Sequence, residues 1–196
     1  MASKVRYKID LVQIFNRAYG GKPISLQNVL RPLISDMRVK MAIGMAAIDQ
    51  IETNTLDGKD KNGKPWRGEA ARYTKGYRDS LAFMVYGKSS GPVNLKLSGE
   101  MLASMKPVPL QRPAINIEFI DSLNNDKAHG HINGYQNRNP KKKRDFFGLP
   151  KDQEEKIMRD VFKTVNREEF YPELGAALKQ EIQGQNITLA LDEFEE

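Results

Sequence analysis

The chain has 196 residues, no cysteine and a formal net charge of +6, from 31 Lys and Arg against 25 Asp and Glu. This length suits one domain with extended arms, which buries a core without staples. The absence of cysteine excludes a disulfide frame and a thiolate metal site. No apolar run is long enough for a membrane span, and the charged start Met-Ala-Ser-Lys-Val-Arg-Tyr-Lys lacks the apolar stretch of a signal peptide. Four of the last five residues, Asp192-Glu-Phe-Glu-Glu196, are acidic, so the body is more basic than the total and suits nucleic acid or acidic protein partners.

In chain order, residues 1–24 read as an N-terminal arm with a short helix near Leu11–Ala18, ended by Gly20-Gly21. Ser25 is placed to cap a long amphipathic helix running to Thr55. Leu26, Leu30, Leu33, Met37, Met41, Met45 and Ile48 recur in steps of three and four, which predicts a core-facing stripe, kinked at Pro32. Residues 57–80 hold the turn dipeptides Asp57-Gly58, Asn62-Gly63 and Lys64-Pro65. Val93–Leu97 alternates as a strand, Glu100–Met105 spaces Met101, Leu102 and Met105 as a short helix, and Ala114–Ile120 alternates as the clearest strand, with Ile115, Ile117 and Phe119 on one face. Residues 121–145 are polar and basic and read as a long loop or an extended hairpin. Acids in Lys151–Glu155 open a helix carrying Ile157, Met158, Val161, Phe162 and Val165. Pro172 opens a last helix with Leu174, Leu178 and Ile182, ahead of an arm over 184–196. The elements predict an α+β domain over 25–183. A long N-terminal helix and C-terminal helices pack on a small, mostly antiparallel sheet, with a long loop or hairpin and terminal arms.

No motif carries catalysis. His129 and His131 flank one glycine, and on a strand they point to opposite faces, so a shared ion needs Asp126, Asp121 or another acid as third ligand. Ser98 and Ser104 lack an elbow that exposes a nucleophile. Asp57, Asp60 and Asn62 read as turn formers rather than calcium ligands, because the acidic alternation and a terminal Glu are missing. No cofactor motif and no phosphate-cradling loop is present. Pro140-Lys-Lys-Lys-Arg144 is the one charge run, and Lys141, Lys142, Lys143 and Arg144 suit sequence-independent phosphate contact.

Three motifs stand in fixed order: Gly58-x-Asp60-x-x-Gly63-x-x-Trp66, Leu95-x-Leu97-x-Gly99-x-x-Leu102-x-Ser104, and His129-Gly-His131-x-x-Gly134 leading to Arg144-x-Phe146-x-Gly148-Leu149. In that order, over roughly residues 26–165, they resemble the virion-morphogenesis (tail-completion or neck) proteins of tailed bacteriophages. Where the family carries Pro-Ala-Arg before the Phe corner, this chain has Lys-Lys-Lys-Arg144-Asp145. The resemblance implies a non-enzymatic virion protein, assembled in the bacterial cytoplasm, that completes the tail or joins it to the DNA-filled head. Its implied partners are copies of itself in a ring, often six-fold, and neighbouring neck, portal-adaptor or tail-tube proteins. Trp66, Tyr73, Tyr77, Arg144, Phe146, Phe147 and Leu149 are the candidate contact residues, with internal packing as the competing role, above all for Trp66, Phe146 and Phe147. The alternatives are a DNA-binding module using the 138–144 loop and a metal-dependent hydrolase using His129, His131 and nearby acids.

Overall fold

The computed structural model describes residues 3–22, 27–28, 30–89, 91, 93–95, 98–134 and 142–165. The fold is α+β. Strands β1 (Arg6–Asp10), β2 (Met105–Pro109) and β3 (Ala114–Phe119) form one antiparallel sheet in the order β1-β3-β2. Helix α1 (Leu11–Tyr19) follows β1 directly, and Asp10 caps it by accepting from the Gln13 amide at 3.2 Å. A 3-10 turn over Arg31–Ser35 precedes α2 (Met37–Leu56). Three short helices, α3 (Lys75–Arg78), α4 (Leu81–Val85) and α5 (Glu100–Ala103), lead to the β2–β3 hairpin. Helices α6 (Ser122–Asn133) and α7 (Lys151–Val165) complete the described elements.

The short helix expected near Leu11–Ala18 is α1, but residues 6–19 contribute a strand and a helix to the core rather than an arm. Strand β1 pairs along its length with β3, and Ile9, Leu11, Ile14 and Phe15 are buried. Tyr7 and Arg17 then tie this segment to α7. The Tyr7 hydroxyl donates to Glu154 at 2.5 Å, and Arg17 reaches Glu154 at 2.5 Å and Glu155 at 3.1 Å.

The single long helix expected from residue 25 to 55 is two pieces. Pro32 sits in the first turn of the 3-10 segment, where a missing amide donor costs nothing. Asp36 is extended and caps α2, accepting from the amides of Arg38 at 2.7 Å and Val39 at 3.4 Å. That break resets the helical phase. The buried face of α2 is Val39, Ile43, Ala47 and Ile51, flanked by Lys40, Gly44, Ile48 and Thr55, while Met37, Met41 and Met45 face outward. Of the expected stripe, Leu30, Leu33 and Ile48 are core while Met37, Met41 and Met45 are surface. Lys40 is buried because its ammonium donates to the carbonyls of Leu110 at 2.8 Å and Arg112 at 3.2 Å, holding the β2–β3 turn against the helix.

Strand β3 is central and agrees with its alternating pattern, with Ile115, Ile117 and Phe119 buried. Glu118 is also buried, and burial pushes its carboxyl up. The hydrogen bond from Lys4 and the charges of Lys4 and Arg6 outweigh that and hold it below the usual carboxylate range. Two further expectations fail. Val93, Asn94 and Leu95 have no strand geometry. The long loop expected over 121–145 is largely helix α6, capped by Asp121, which accepts from the Asn124 amide at 2.8 Å. Ser25, Leu26, Leu97, the Pro172 helix, the 184–196 arm and Lys141 lie outside the described residues.

Candidate functional site, a basic cleft lined by tyrosines

The turn at Gly58–Trp66 is built by one side chain. Asp60 accepts from the amides of Asn62 and Lys64, each at 2.9 Å, while the Gly63 amide returns to the Asp60 carbonyl at 2.9 Å. Gly63 takes a φ of +73°, which a side chain rarely adopts. The Trp66 amide closes the turn on the Gly58 carbonyl at 2.9 Å. This turn is locked to the Arg144–Pro150 corner by two bonds between the same residues. The Lys61 amide donates to the Asp145 carbonyl at 2.7 Å, and the Lys61 ammonium meets the Asp145 carboxylate at 2.8 Å.

Within that corner Phe146, Phe147 and Leu149 are buried. Phe147 packs against Phe119 and Tyr7, at ring-centroid distances of 4.9 Å and 6.2 Å. Trp66 is half-buried against the core. Phe146, Phe147 and Leu149 are therefore core anchors rather than exposed contact residues. Arg144 is buried too. Its Nε donates to the Ala70 carbonyl at 2.9 Å and its Nη2 to the Arg72 carbonyl at 3.1 Å, and its amide donates to the His131 carbonyl at 2.7 Å. Of the remaining basic run, Lys142 pairs with Glu69 at 3.7 Å with its side chain 14% exposed, and Lys143 is exposed.

Tyr73 and Tyr77 line one cleft together with Arg144. Thr74 caps α3 by accepting from the Tyr77 amide, and Ser80 caps α4 by accepting from the Phe83 amide, both at 3.3 Å. These two caps bring Tyr73, Tyr77 and Phe83 into a three-ring cluster with centroids 5.3–5.4 Å apart. The Tyr73 hydroxyl donates to the Asn94 carbonyl at 3.0 Å and accepts from the Asn94 amide at 3.0 Å and from Lys88 at 3.1 Å. Lys88 also donates to the Asn94 side-chain oxygen at 2.6 Å and lies 5.1 Å from the Tyr73 ring centroid.

Helix α6 supplies the facing wall. Lys127 and His131 are four residues apart and share a face. Lys127 approaches Asn124 at 3.4 Å and Glu100 at 3.9 Å. Burial, with the Arg144 charge adding to it, pushes His131 down to about 4, so the imidazole is neutral near pH 7. Burial likewise raises Tyr77, against the lowering effect of Arg144. Gly99, at a φ of +90°, turns the chain into α5 and sets Met101 beside the tyrosines.

The result is a cleft of about 440 Å³. Its lining combines apolar and aromatic residues, Tyr73, Tyr77, Leu95 and Met101, with the cations Lys88, Lys127, Lys142 and Arg144. Among its described lining residues there is no Asp or Glu. Such a site suits an anion with an apolar or aromatic part. Lys88, Asn94 and Lys127 were not singled out from the sequence. Lys127 and His131 become neighbours only on a helix, and Asp121 three residues before Asn124 was the one capping signal for it.

His129 and His131 lie two residues apart on α6, about 200° around the helix, so the rings leave on opposite sides. Among the described residues no three His, Asp or Glu side chains converge, and no helix is long and apolar enough to cross a membrane.

Apolar side chains also collect on the surface. Leu81, Met84, Val85 and Tyr86 project from α4 and its end, Leu81 being 73% and Val85 70% exposed. Met37, Met41 and Met45 line the outer face of α2, and Ile120 and Leu123 flank the start of α6. No family model, no curated protein and no solved structure matches this chain.

Proposed function

We propose that this chain is a non-enzymatic structural protein of a tailed-bacteriophage virion, a subunit of a ring of identical copies at the tail end or the neck. The observation that carries the proposal is the exposed apolar surface on α2 and α4, beside a core already filled by other residues. Clustered exposed Leu, Met, Val and Tyr mark a protein contact rather than a reaction centre. The resemblance motifs support the reading in a second way. The Gly58–Trp66 turn and the Arg144–Leu149 corner interlock through Lys61 and Asp145, so residues far apart in sequence act as one structural unit.

DNA contact through residues 138–144 stands second. Of that stretch's described cations, Lys142 is paired and Arg144 is buried against carbonyls, which leaves Lys143 facing solvent.

The test is electron microscopy of a lysate from a phage lacking this gene, with the purified chain sized by light scattering. Filled heads beside detached tails, together with a discrete oligomer, support the proposal. Intact joined virions, or a chain that stays monomeric at every concentration, overturn it. DNA retention by the purified chain that falls steeply with salt moves the DNA reading to first place.

A further inference from the structure

We propose that the cleft between α3, α5 and α6 binds the chain's own acidic segment, Asp192-Glu-Phe-Glu-Glu196. This inference is independent of the virion reading. The cleft presents four cationic side chains, Lys88, Lys127, Lys142 and Arg144, together with aromatic and aliphatic lining, and no carboxylate among its described lining residues. The segment is the densest acidic run of the sequence, four acids in five residues, and it holds one aromatic side chain, Phe194, between them.

The match is of two kinds at once. Phe194 suits the apolar lining that Tyr73, Tyr77 and Met101 supply, because tilted and edge-on rings attract. The flanking carboxylates suit the cationic lining, Lys88, Lys127, Lys142 and Arg144. A bare phosphate satisfies the cations and leaves the apolar part of the lining uncovered. Lys88 and Arg144 favour the peptide for a further reason. Both already donate to neighbouring oxygens, Lys88 to Asn94 and Arg144 to two carbonyls, so they contribute positive potential rather than the direct bidentate grip a phosphate requires. Reach is no obstacle. Twenty-six residues lie between Val165 and Asp192, a tether of up to about 90 Å when extended, well beyond the ~40 Å breadth of a domain this size.

The absence of native cysteine makes the test clean. Ser98, an exposed residue lining the cleft, and Glu196 are both changed to Cys in the full chain, and disulfide formation is followed under mild oxidation. Thr53→Cys, on the exposed outer side of α2, replaces Ser98→Cys in the control. The Ser98→Cys pair should cross-link well above the control. The yield should fall about ten-fold when Lys127→Glu and Lys142→Glu are added. It should return when Asp192→Lys and Glu193→Lys accompany them. Single-chain and double-chain masses both satisfy the proposal and tell whether the segment returns to its own chain or crosses to a copy. A yield equal to the control, or one unmoved by the charge changes, overturns it. Loss of the cross-link to a stoichiometric oligothymidine, with that oligonucleotide retained through Lys127, assigns the cleft to nucleic acid and also overturns it.

Discussion

The guanidinium carbon of Arg144 stands 6.0 Å from the centroid of the Trp66 ring, and the same guanidinium donates to the carbonyls of Ala70 and Arg72. One side chain thus satisfies two carbonyls of the segment following Trp66 while its own amide holds the His131 carbonyl. Lysine has the charge but not the planar fork that reaches two acceptors. Arg144→Lys should therefore cost about 1.5–3 kcal/mol. Urea denaturation of the two proteins checks this, and an unchanged midpoint would remove Arg144 from its anchoring role.

Gly44 faces β2 from the middle of α2. A Cβ built there meets the Pro107 Cβ at 2.5 Å, closer than real side chains approach, and the proline ring cannot swing aside. Gly44→Ala gains about 1 kcal/mol of helix propensity and incurs an overpacking cost of about 1–3 kcal/mol. The net change should be destabilising by about 1 kcal/mol. Thermal melting decides the sign, since a stabilised variant would mean that helix and strand separate freely.

The re-phasing of α2 depends on its cap. Asp36→Ala removes the acceptor for the Arg38 and Val39 amides and should cost about 1 kcal/mol. Asp36→Asn should recover most of it. Melting curves of the three proteins side by side distinguish a cap from a charge effect.

His131 makes stability depend on pH in a direction that follows from its burial. Its folded value is lowered to about 4, below that of the unfolded chain. The unfolded chain therefore takes up a proton first, so this contribution is complete above about pH 6.5 and is lost as pH falls toward 4. The loss should amount to about 2–3 kcal/mol between those limits. Carboxylates such as Glu118 weaken the fold at the lower end of the same range, so the measurement is the difference between wild type and His131→Gln at pH 7, 5.5 and 4.5. The gap between the two should narrow as pH falls.

Met41 and Met45 lie on the outer face of α2. Replacing both with Glu should leave the melting temperature nearly unchanged, within the ~0.5 kcal/mol usual for surface sites, and should weaken self-association. Sedimentation across a concentration series reads this. Equal association of variant and wild type would place the subunit contact elsewhere, with α4 next.

Much of this was legible in the sequence, and the misses have physical causes. Ile115, Ile117 and Phe119 announce β3 because a central strand shows its alternation directly, and Asp60 announces its turn because a side-chain oxygen two residues before a free amide is a local event. Strand β1 was hidden because Arg6 and Lys8 balance charges on Glu118 and Asp10, partners that only the fold supplies. Helix α6 was hidden by Asn124, Asn125, Gly130 and Asn133, all weak helix formers, which are held by tertiary contacts such as the Val5 amide on Asn125 at 2.8 Å. The outward methionines misled because Asp36 breaks the helix between Leu33 and Met37, so one apparent stripe belongs to two unrelated axes. The cleft draws its residues from four separate stretches of chain, and no local spacing encodes it.

The prolines of β2 have a consequence for how copies of this chain can meet. Leu110 donates to Ala114 and Ile120 to Ser104. By the alternation of an antiparallel ladder, Lys106 and Val108 point their amides inward to β3, and positions 107 and 109 point outward. Both outward positions are proline, so this rim of the sheet offers almost no amide to an incoming strand. A protein that displays so much apolar surface runs the risk of open-ended stacking, strand against strand. Here that route is blocked along β2, and the ring proposed above would have to form through other surfaces, such as helix faces, whose shape dictates an angle between neighbours and so allows closure.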